Sequence, residues 1–340
     1  MSTPPASRRR LPAEWEPQRF VQFTFPHPAT DWKNNWEEAI HCFQEVIRLA
    51  SRFQRVLLVC QDKKSVEALW TDAETDYFQL VEIPSNDSWA RDHGGITVFE
   101  GEERLLLDFV FNGWGLKFPA DQDNQITRRL AQQHVLDDYR LQSLGFVLEG
   151  GSLESDGKGT LLTTSQCLLS PNRNPHLSQQ AIEQTLKSLL GLERILWLHN
   201  GHLMGDDTDA HIDTLARFCD EATIAYVQCT NSADPHFEPL KAMELELRQL
   251  RQSNGAPYRL VPLPLPTPIR AEDGHRLPAT YANFLLLNGA VLVPVYGVAE
   301  DQLAMNCLQS LFPGREVLAV NCRALIEQHG SLHCISMNYY

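Results

Sequence analysis

Phe146-Val147-Leu148-Glu149-Gly150-Gly151 opens the stretch whose reading decides the fold. A short apolar strand runs into a carboxylate and two glycines. The turn Ser155-Asp156-Gly157-Lys158-Gly159 follows, then the apolar run Thr160 to Thr164, a helical segment from Ser178 to Leu190 and the strand Ile195-Leu196-Trp197-Leu198. Ser178 is a good N-cap and Gly191 a good C-terminal stop. Strand, glycine turn, strand, helix and strand make a unit of roughly 50 to 70 residues, a repeat size that suggests blades around an axis. Similar units open near Arg91-Asp92, near His211 and near Tyr281-Ala282-Asn283-Phe284. Cys334 starts a strand with no chain left to complete its unit, so that strand is expected to pair with the N-terminal segment.

Outward from this unit, strand-like runs recur at 56–59, 96–99, 222–227, 284–287 and 291–294. Helix-like spacing of apolar residues covers Trp36 to Phe53 and Phe237 to Gln252. The class is α/β. Pro262-Leu263-Pro264-Leu265-Pro266-Thr267-Pro268 interleaves proline with apolar or hydroxyl side chains and reads as a packed extended segment or loop, not a tether. One compact domain, 1–340, is expected. The 340 residues, 43% hydrophobic and 21% charged, are ample for a core.

In a closed ring of such units Asp92, Glu149, His211 and Cys334 would meet at the centre, because each stands at a unit's opening. Cys334, in Gly330-Ser331-Leu332-His333-Cys334, is the candidate nucleophile; a thiol needs a base or a positive neighbour to act as thiolate. An extended His211-Ile212-Asp213 would point imidazole and carboxylate to one face. A lone His-x-Asp is more often a structural histidine at a strand entry, and Glu-Gly-Gly alone is a plausible exposed turn. The company these residues keep favours chemistry. Glu149, half-buried beside a histidine, is expected to have a raised pKa suited to proton transfer. For most of the other cysteines, Cys60, Cys167, Cys219 and Cys229 among them, a small buried hydrophobe is the expectation.

Other classes are disfavoured. A net charge of -14 argues against a surface built for nucleic-acid phosphates and attracts cationic molecules. Eight scattered cysteines without a CxxC pair suggest reduced thiols. The basic start, Met1 to Arg10, is followed by Leu11-Pro12-Ala13-Glu14-Trp15-Glu16 where a signal peptide needs an apolar run, so a cytoplasmic protein is expected. No run approaches a membrane span, and the sequon Asn86-Asp87-Ser88 reads as chance. Neither His329 and His333 with Cys334, nor His211 with Asp206, Asp207 and Asp209, has a standard metal spacing; no metal is expected. Walker A, GxSxG, HExxH and Rossmann patterns are absent.

The chain resembles the agmatine deiminase family of the guanidine-modifying (pentein) superfamily, which includes arginine deiminases and a bacterial peptidylarginine deiminase. The likeness spans nearly the whole length and rests on Leu11-Pro12-Ala13-Glu14-Trp15-Glu16-Pro17, Asn86 to Asp92, Phe111-Asn112-Gly113-Trp114-Gly115, Glu149-Gly150-Gly151-Ser152, Pro171-Asn172-Arg173-Asn174-Pro175, Gly205 to Asp213 and the Cys334 tail. It implies a five-bladed α/β propeller with pseudo-fivefold symmetry. It also implies hydrolysis of a guanidinium to a ureido group with release of ammonia, agmatine giving N-carbamoylputrescine. By motif, Cys334 is the nucleophile, His211 the general acid/base, Glu149 its partner that also contacts the guanidinium, and Asp92 and Asp213 the carboxylates that clamp the guanidinium nitrogens.

No cofactor is implied, and a homodimer is a reasonable expectation. Trp89 is expected to line the pocket for the substrate's tail, with Asp206 or Asp207 meeting a distal amine. Three departures from the commonest pattern stand out: His93-Gly94-Gly95 after Asp92, Ala210 before His211, and Gly-Ser-Leu-His-Cys in the tail. None removes a catalytic residue. A peptidylarginine or other guanidine deiminase, and a non-catalytic binding member, remain the alternatives; the retained Cys334 and His211 speak against the latter.

Overall fold

A computed structural model describes residues 9–340; the first eight residues of the basic N-terminal stretch lie outside it. Among the described residues the strands form five separate sheets, three of three strands and two of four. Each repeats one plan: an antiparallel pair, then a helix, then a third strand parallel to the second. In the unit that opens at Glu149 these are Glu154–Ser155, Thr160–Thr164, the helix Gln179–Leu190 and Arg194–Leu198. The other complete units begin at Ile96–Glu100, Ala216–Asp220 and Leu285–Leu287.

The fifth unit joins the two ends of the chain. Ser336–Tyr339 pairs antiparallel with Phe20–Thr24, in register Met337 to Gln22, and Phe20–Thr24 pairs parallel with Arg55–Cys60. The pairing expected of the last strand is therefore found. Two further strands, Arg9–Arg10 and Phe78–Glu82, widen the four-stranded sheets.

Local chemistry explains the elements. The middle strands Phe20–Thr24 and Thr160–Thr164 are buried throughout, so they read as continuous runs and not as alternation. The helix Trp36–Ser51 buries Ala39, Ile40, Phe43, Val46, Ile47 and Ala50, the three- and four-residue spacing of one apolar face. Ser178 caps its helix by accepting from Ala181 N–H (3.2 Å), and Gly191 ends it at φ 72°. The helices stop earlier than their apolar spacing suggests: at Ser51, and at Gln249, where Leu250 turns extended. Pro262 and Pro264 sit in the strand Arg259–Pro264 at the edge of its sheet, where a missing N–H breaks no ladder.

One turn of chain precedes the first strand of each unit: Ala90–His93, Gly150–Ser152, Ile212–Thr214, Tyr281–Asn283 and the turn through Cys334. Hydrogen bonds link these turns in a closed circuit. Arg91 N–H donates to Cys334 O (3.1 Å), and Gly151 N–H to Asp92 Oδ1 (3.0 Å). His211 Nε2 meets Glu149 Oε2 (3.2 Å). Asn283 Nδ2 donates to Asp213 O (3.4 Å), and His333 N–H to Asn283 O (3.2 Å). The unit openings therefore share one small volume.

Candidate active site

Gly151 marks the centre. A Cβ built there would stand 2.5 Å from His211 Nδ1, 2.9 Å from Asp92 Oδ1 and 3.1 Å from Asp213 Oδ2. Only a residue without a side chain lets these three groups face one space, which is why the second glycine of Glu149-Gly150-Gly151 matters. His211 and Asp213 reach that space by a route other than strand alternation. Asp209 and Ala210 are both left-handed, at φ 66° and 62°, and Ile212–Thr214 is a one-turn 3-10 helix. The turn replaces the extended segment read from the sequence because Asp206 Oδ2 accepts Ala210 N–H (2.7 Å) and Thr208 Oγ1 accepts His211 N–H (3.1 Å). Ala210 occupies this left-handed position at a cost of about 1–2 kcal/mol that glycine would not incur.

Each group has its own support. Trp114 Nε1 donates to Asp92 Oδ2 at 2.9 Å. Arg173 Nε donates to both oxygens of Glu149, at 3.0 and 2.7 Å, and its NH1 to Asp209 Oδ2 at 2.6 Å. His333 Nδ1 meets Asp213 Oδ2 at 2.7 Å. Cys334 Sγ lies 3.4 Å from Asn283 Oδ1. Asn283 stands at the opening of its unit, equivalent in chain position to Asp92, Glu149, His211 and Cys334; that equivalence was the signal for it, and its neutral side chain hid it. Trp114 and Arg173 lie inside segments that carry the family resemblance, but nothing local shows which acid each would hold.

Burial and charge then set the protonation states. Burial, followed by the negative charges of Asp213 and Asp92, pushes the Cys334 thiol well above its ordinary value. Burial opposes charge on His211, yet Asp92, then Cys167 and the Glu149 hydrogen bond, lift the imidazole well above its usual range. Asp92 is raised by burial, with Asp213 and Glu149 adding to it. In Asp213 burial is outweighed by the hydrogen bond and charge of His333, so its carboxyl is lowered. Glu149 departs from expectation: it is fully buried, and burial alone would raise it, but the His211 hydrogen bond and the Arg173 charge hold it low. It is an ionised partner for His211, not a proton donor.

Two buried atoms here have no hydrogen-bond partner, His211 Nδ1 and Asp213 Oδ1. A cleft leads down to Asp92 and Cys334. Trp89, Trp114 and Phe118 line its walls, and Asp31, Asp87 and Asp207 its remaining acidic positions; no lysine or arginine is among its described lining residues. Trp89 packs against Trp32 and against Gly330, which leaves no room for a side chain at position 330. Asp206 is absent from the lining and spends its carboxylate on its own loop, at Thr208 Oγ1 (2.5 Å) and Ala210 N–H.

Cys167 is more than a buried hydrophobe, since its Sγ lies 3.6 Å from Glu149 Oε2. Glu149, Cys167 and His211 have ligand atoms within 4.8 Å of one another, a group able to hold a metal ion by spacing. Arg173 donates to both Glu149 oxygens, so a fixed positive charge already occupies the carboxylate a cation would need. The donor set fits a metal poorly.

Comparison with known proteins shows what the chain and its fold are similar to. Residues 10–339 match the family model described as Porphyromonas-type peptidyl-arginine deiminase. An agmatine deiminase of Pseudomonas aeruginosa strain LESB58 is 34% identical, over 98% of this chain and 96% of that protein. A crystal structure provisionally described as the arginine deiminase of Porphyromonas gingivalis superposes with a TM-score of 0.92 at 50% identity, covering 98% of both chains. The agmatine deiminase of C. jejuni, solved as a cysteine-to-serine variant with substrate bound, gives 0.92 at 37% identity, over 98% of this chain and 96% of that one. With a full-length match and a site built on the same α/β frame, the chain belongs to the Porphyromonas-type peptidyl-arginine deiminase family.

Proposed function

We propose that the protein is an agmatine deiminase: it hydrolyses the guanidinium of agmatine to the ureido group of N-carbamoylputrescine and releases ammonia. The observation that carries this reading is that His211 Nδ1 and the carboxylates of Asp92 and Asp213 face one space over Gly151, with His211 Nδ1 and Asp213 Oδ1 buried and without a hydrogen bond, while Asp92 and Cys334 also line the cleft. A planar cation with fixed N–H donors completes such a site, and Asp92 and Asp213 hold it by charge-assisted hydrogen bonds. Its charge offsets the two acids that raise the thiol, so Cys334 loses its proton to solvent on binding. The thiolate adds to the guanidinium carbon. His211, protonated in the resting site, gives the Nδ1 proton to the departing nitrogen, which leaves as ammonia. Neutral His211 then takes a proton from water, the hydroxide adds to the amidino-thioether, and the thiolate leaves with the urea product behind it. Glu149 fixes the ring and balances its charge throughout.

The acidic cleft supports a substrate that is cationic at both ends. Asp207 lines it and meets the distal amine, with Trp89 along the aliphatic tail. Free arginine, the reading favoured by the Porphyromonas gingivalis relative, would bring a carboxylate toward Asp87 and Asp207 with no lining lysine or arginine to receive it. We read the five sheets as blades of a propeller about a pseudo-fivefold axis, in one catalytic domain, 1–340; the closed circuit of hydrogen bonds supports this. Eight free cysteines fit a reducing, cytoplasmic setting, no described helix is long and apolar enough to cross a membrane, and a homodimer is the expected assembly. Ammonia release from agmatine, arginine and an arginine peptide, with Cys334→Ser as control and chelator present, tests the proposal. Selective turnover of agmatine, abolished in the variant, is the expected result; turnover of arginine or peptide instead overturns the substrate.

A further inference from the structure

Resting on that reading of the site, we propose that Glu14, from the N-terminal segment, is a positioning residue for the substrate's guanidinium, acting through His333 on Asp213. The three side chains form a buried chain. Glu14 Oε2 lies 2.6 Å from His333 Nε2, and His333 Nδ1 lies 2.7 Å from Asp213 Oδ2. Glu14 is itself fixed: Oε2 accepts from Arg217 NH2 (2.6 Å) and Oε1 from Leu286 N–H (3.1 Å). Arg217 in turn donates from Nε to Glu154 Oε2 at 2.7 Å.

The consequence falls on Asp213. One oxygen is committed to His333, and the other, Oδ1, is buried without a partner. The direction of the free oxygen is therefore set by the His333 ring, whose far end, Nε2, meets Glu14 Oε2 at 2.6 Å and, less closely, Arg217 NH2 at 3.2 Å. His333 also precedes Cys334, and the N–H groups of both donate to Asn283 Oδ1, at 2.9 and 3.3 Å. A tilt of the ring thus reaches the thiol as well. A carboxylate that binds a cation works only while ionised and aimed, and the residues behind it supply both conditions. Glutamine at position 14 has one acceptor oxygen and cannot serve Arg217, Leu286 and His333 together, so the ring loses its closest far-end partner and keeps only the 3.2 Å approach of Arg217 NH2.

The test uses the full chain with Glu14→Gln, His333→Asn and the double variant, each measured on agmatine across pH and by thermal unfolding. Asparagine keeps a donor near the Nδ1 position and cannot reach Glu14. Glu14→Gln is expected to raise KM about tenfold, the loss of one charged hydrogen bond, with kcat changed less. The acid limb of kcat/KM moves to higher pH, because Asp213 loses support for its anion. In the His333→Asn background Glu14→Gln adds nothing further, since the path is already cut. Additive effects, or a wild-type KM and acid limb in Glu14→Gln, overturn the proposal. So does a variant whose only change is a lower melting temperature. Should the variants not fold, wild-type protein with isotope-labelled histidine decides: millimolar guanidinium chloride must shift the His333 ring signals and leave those of His236 in place, and unmoved His333 signals overturn the proposal. Wild-type protein inactive on every guanidine offered sinks the functional reading instead.

Discussion

His211 Nε2 lies 3.2 Å from Glu149 Oε2, and Arg173 Nε holds that same oxygen at 2.7 Å. The carboxylate, kept ionised, turns the imidazole so that Nε2 is occupied and Nδ1 faces the space over Gly151. Arg173 thus bears on the orientation of His211 from a fully buried position.

Glu149→Gln is expected to lower kcat on the order of 10²- to 10⁴-fold by removing the anion that balances protonated His211. It also leaves Arg173 with Asp209 as its remaining acid, so stability falls by roughly 3 kcal/mol. Steady-state ammonia release and the denaturant midpoint measure the two effects separately. A large stability loss with wild-type kcat would assign the pair to the fold alone.

Gly151→Ala places a methyl group 2.5 Å from His211 Nδ1 and within 3.1 Å of both Asp92 and Asp213. Displacing these groups by a fraction of an ångström is expected to cost about 10²-fold in kcat/KM, with secondary structure retained by circular dichroism. Wild-type kinetics in this variant would mean that the substrate does not use the space above Gly151.

Cys334 is held as a neutral thiol by burial, then by Asp213 and Asp92. A cationic haloamidine that sits between those acids is expected to alkylate it on the order of 10²-fold faster than the neutral haloamide of the same shape. Peptide mass mapping should find the label on Cys334 and not on Cys167. Equal rates for the two reagents would count against a site tuned to a cation.

Burial, with the nearby charge of Asp206, pushes the Asp207 carboxyl up to about 6 against His329 and Lys117. As pH rises through that value Asp207 gains its charge, so KM for agmatine should fall. Asp207→Asn removes this dependence and raises KM about tenfold at neutral pH, the loss of one charged hydrogen bond. An alkylguanidine without the amine should be indifferent to the change. If agmatine is indifferent too, the distal amine binds elsewhere. Asp206→Asn, whose carboxylate faces its own loop, is expected to alter stability more than KM.

Much of the fold was legible because its signals are local. Caps at Ser178 and Gly191, glycine turns and apolar spacing repeat within each unit, and the repeat itself put Asp92, Glu149, His211 and Cys334 at equivalent places. The incomplete last unit even implied the closure of Ser336–Tyr339 on Phe20–Thr24.

What the repeat could not supply is which polar group answers which. Asn283 lacked a charge to draw attention. Arg173, Trp114 and His333 find their acids across gaps of 24, 22 and 120 residues, and Glu14 finds its histidine across 319. Local pattern also misread Glu149 and the route of His211 and Asp213, because pKa values and short turns answer to neighbours that only packing delivers. Residue types and their order along the chain determined where the reactive groups stand in each unit. The tertiary structure alone decided their charge, since desolvation and partner distance, unlike periodicity, exist only once distant segments are buried together.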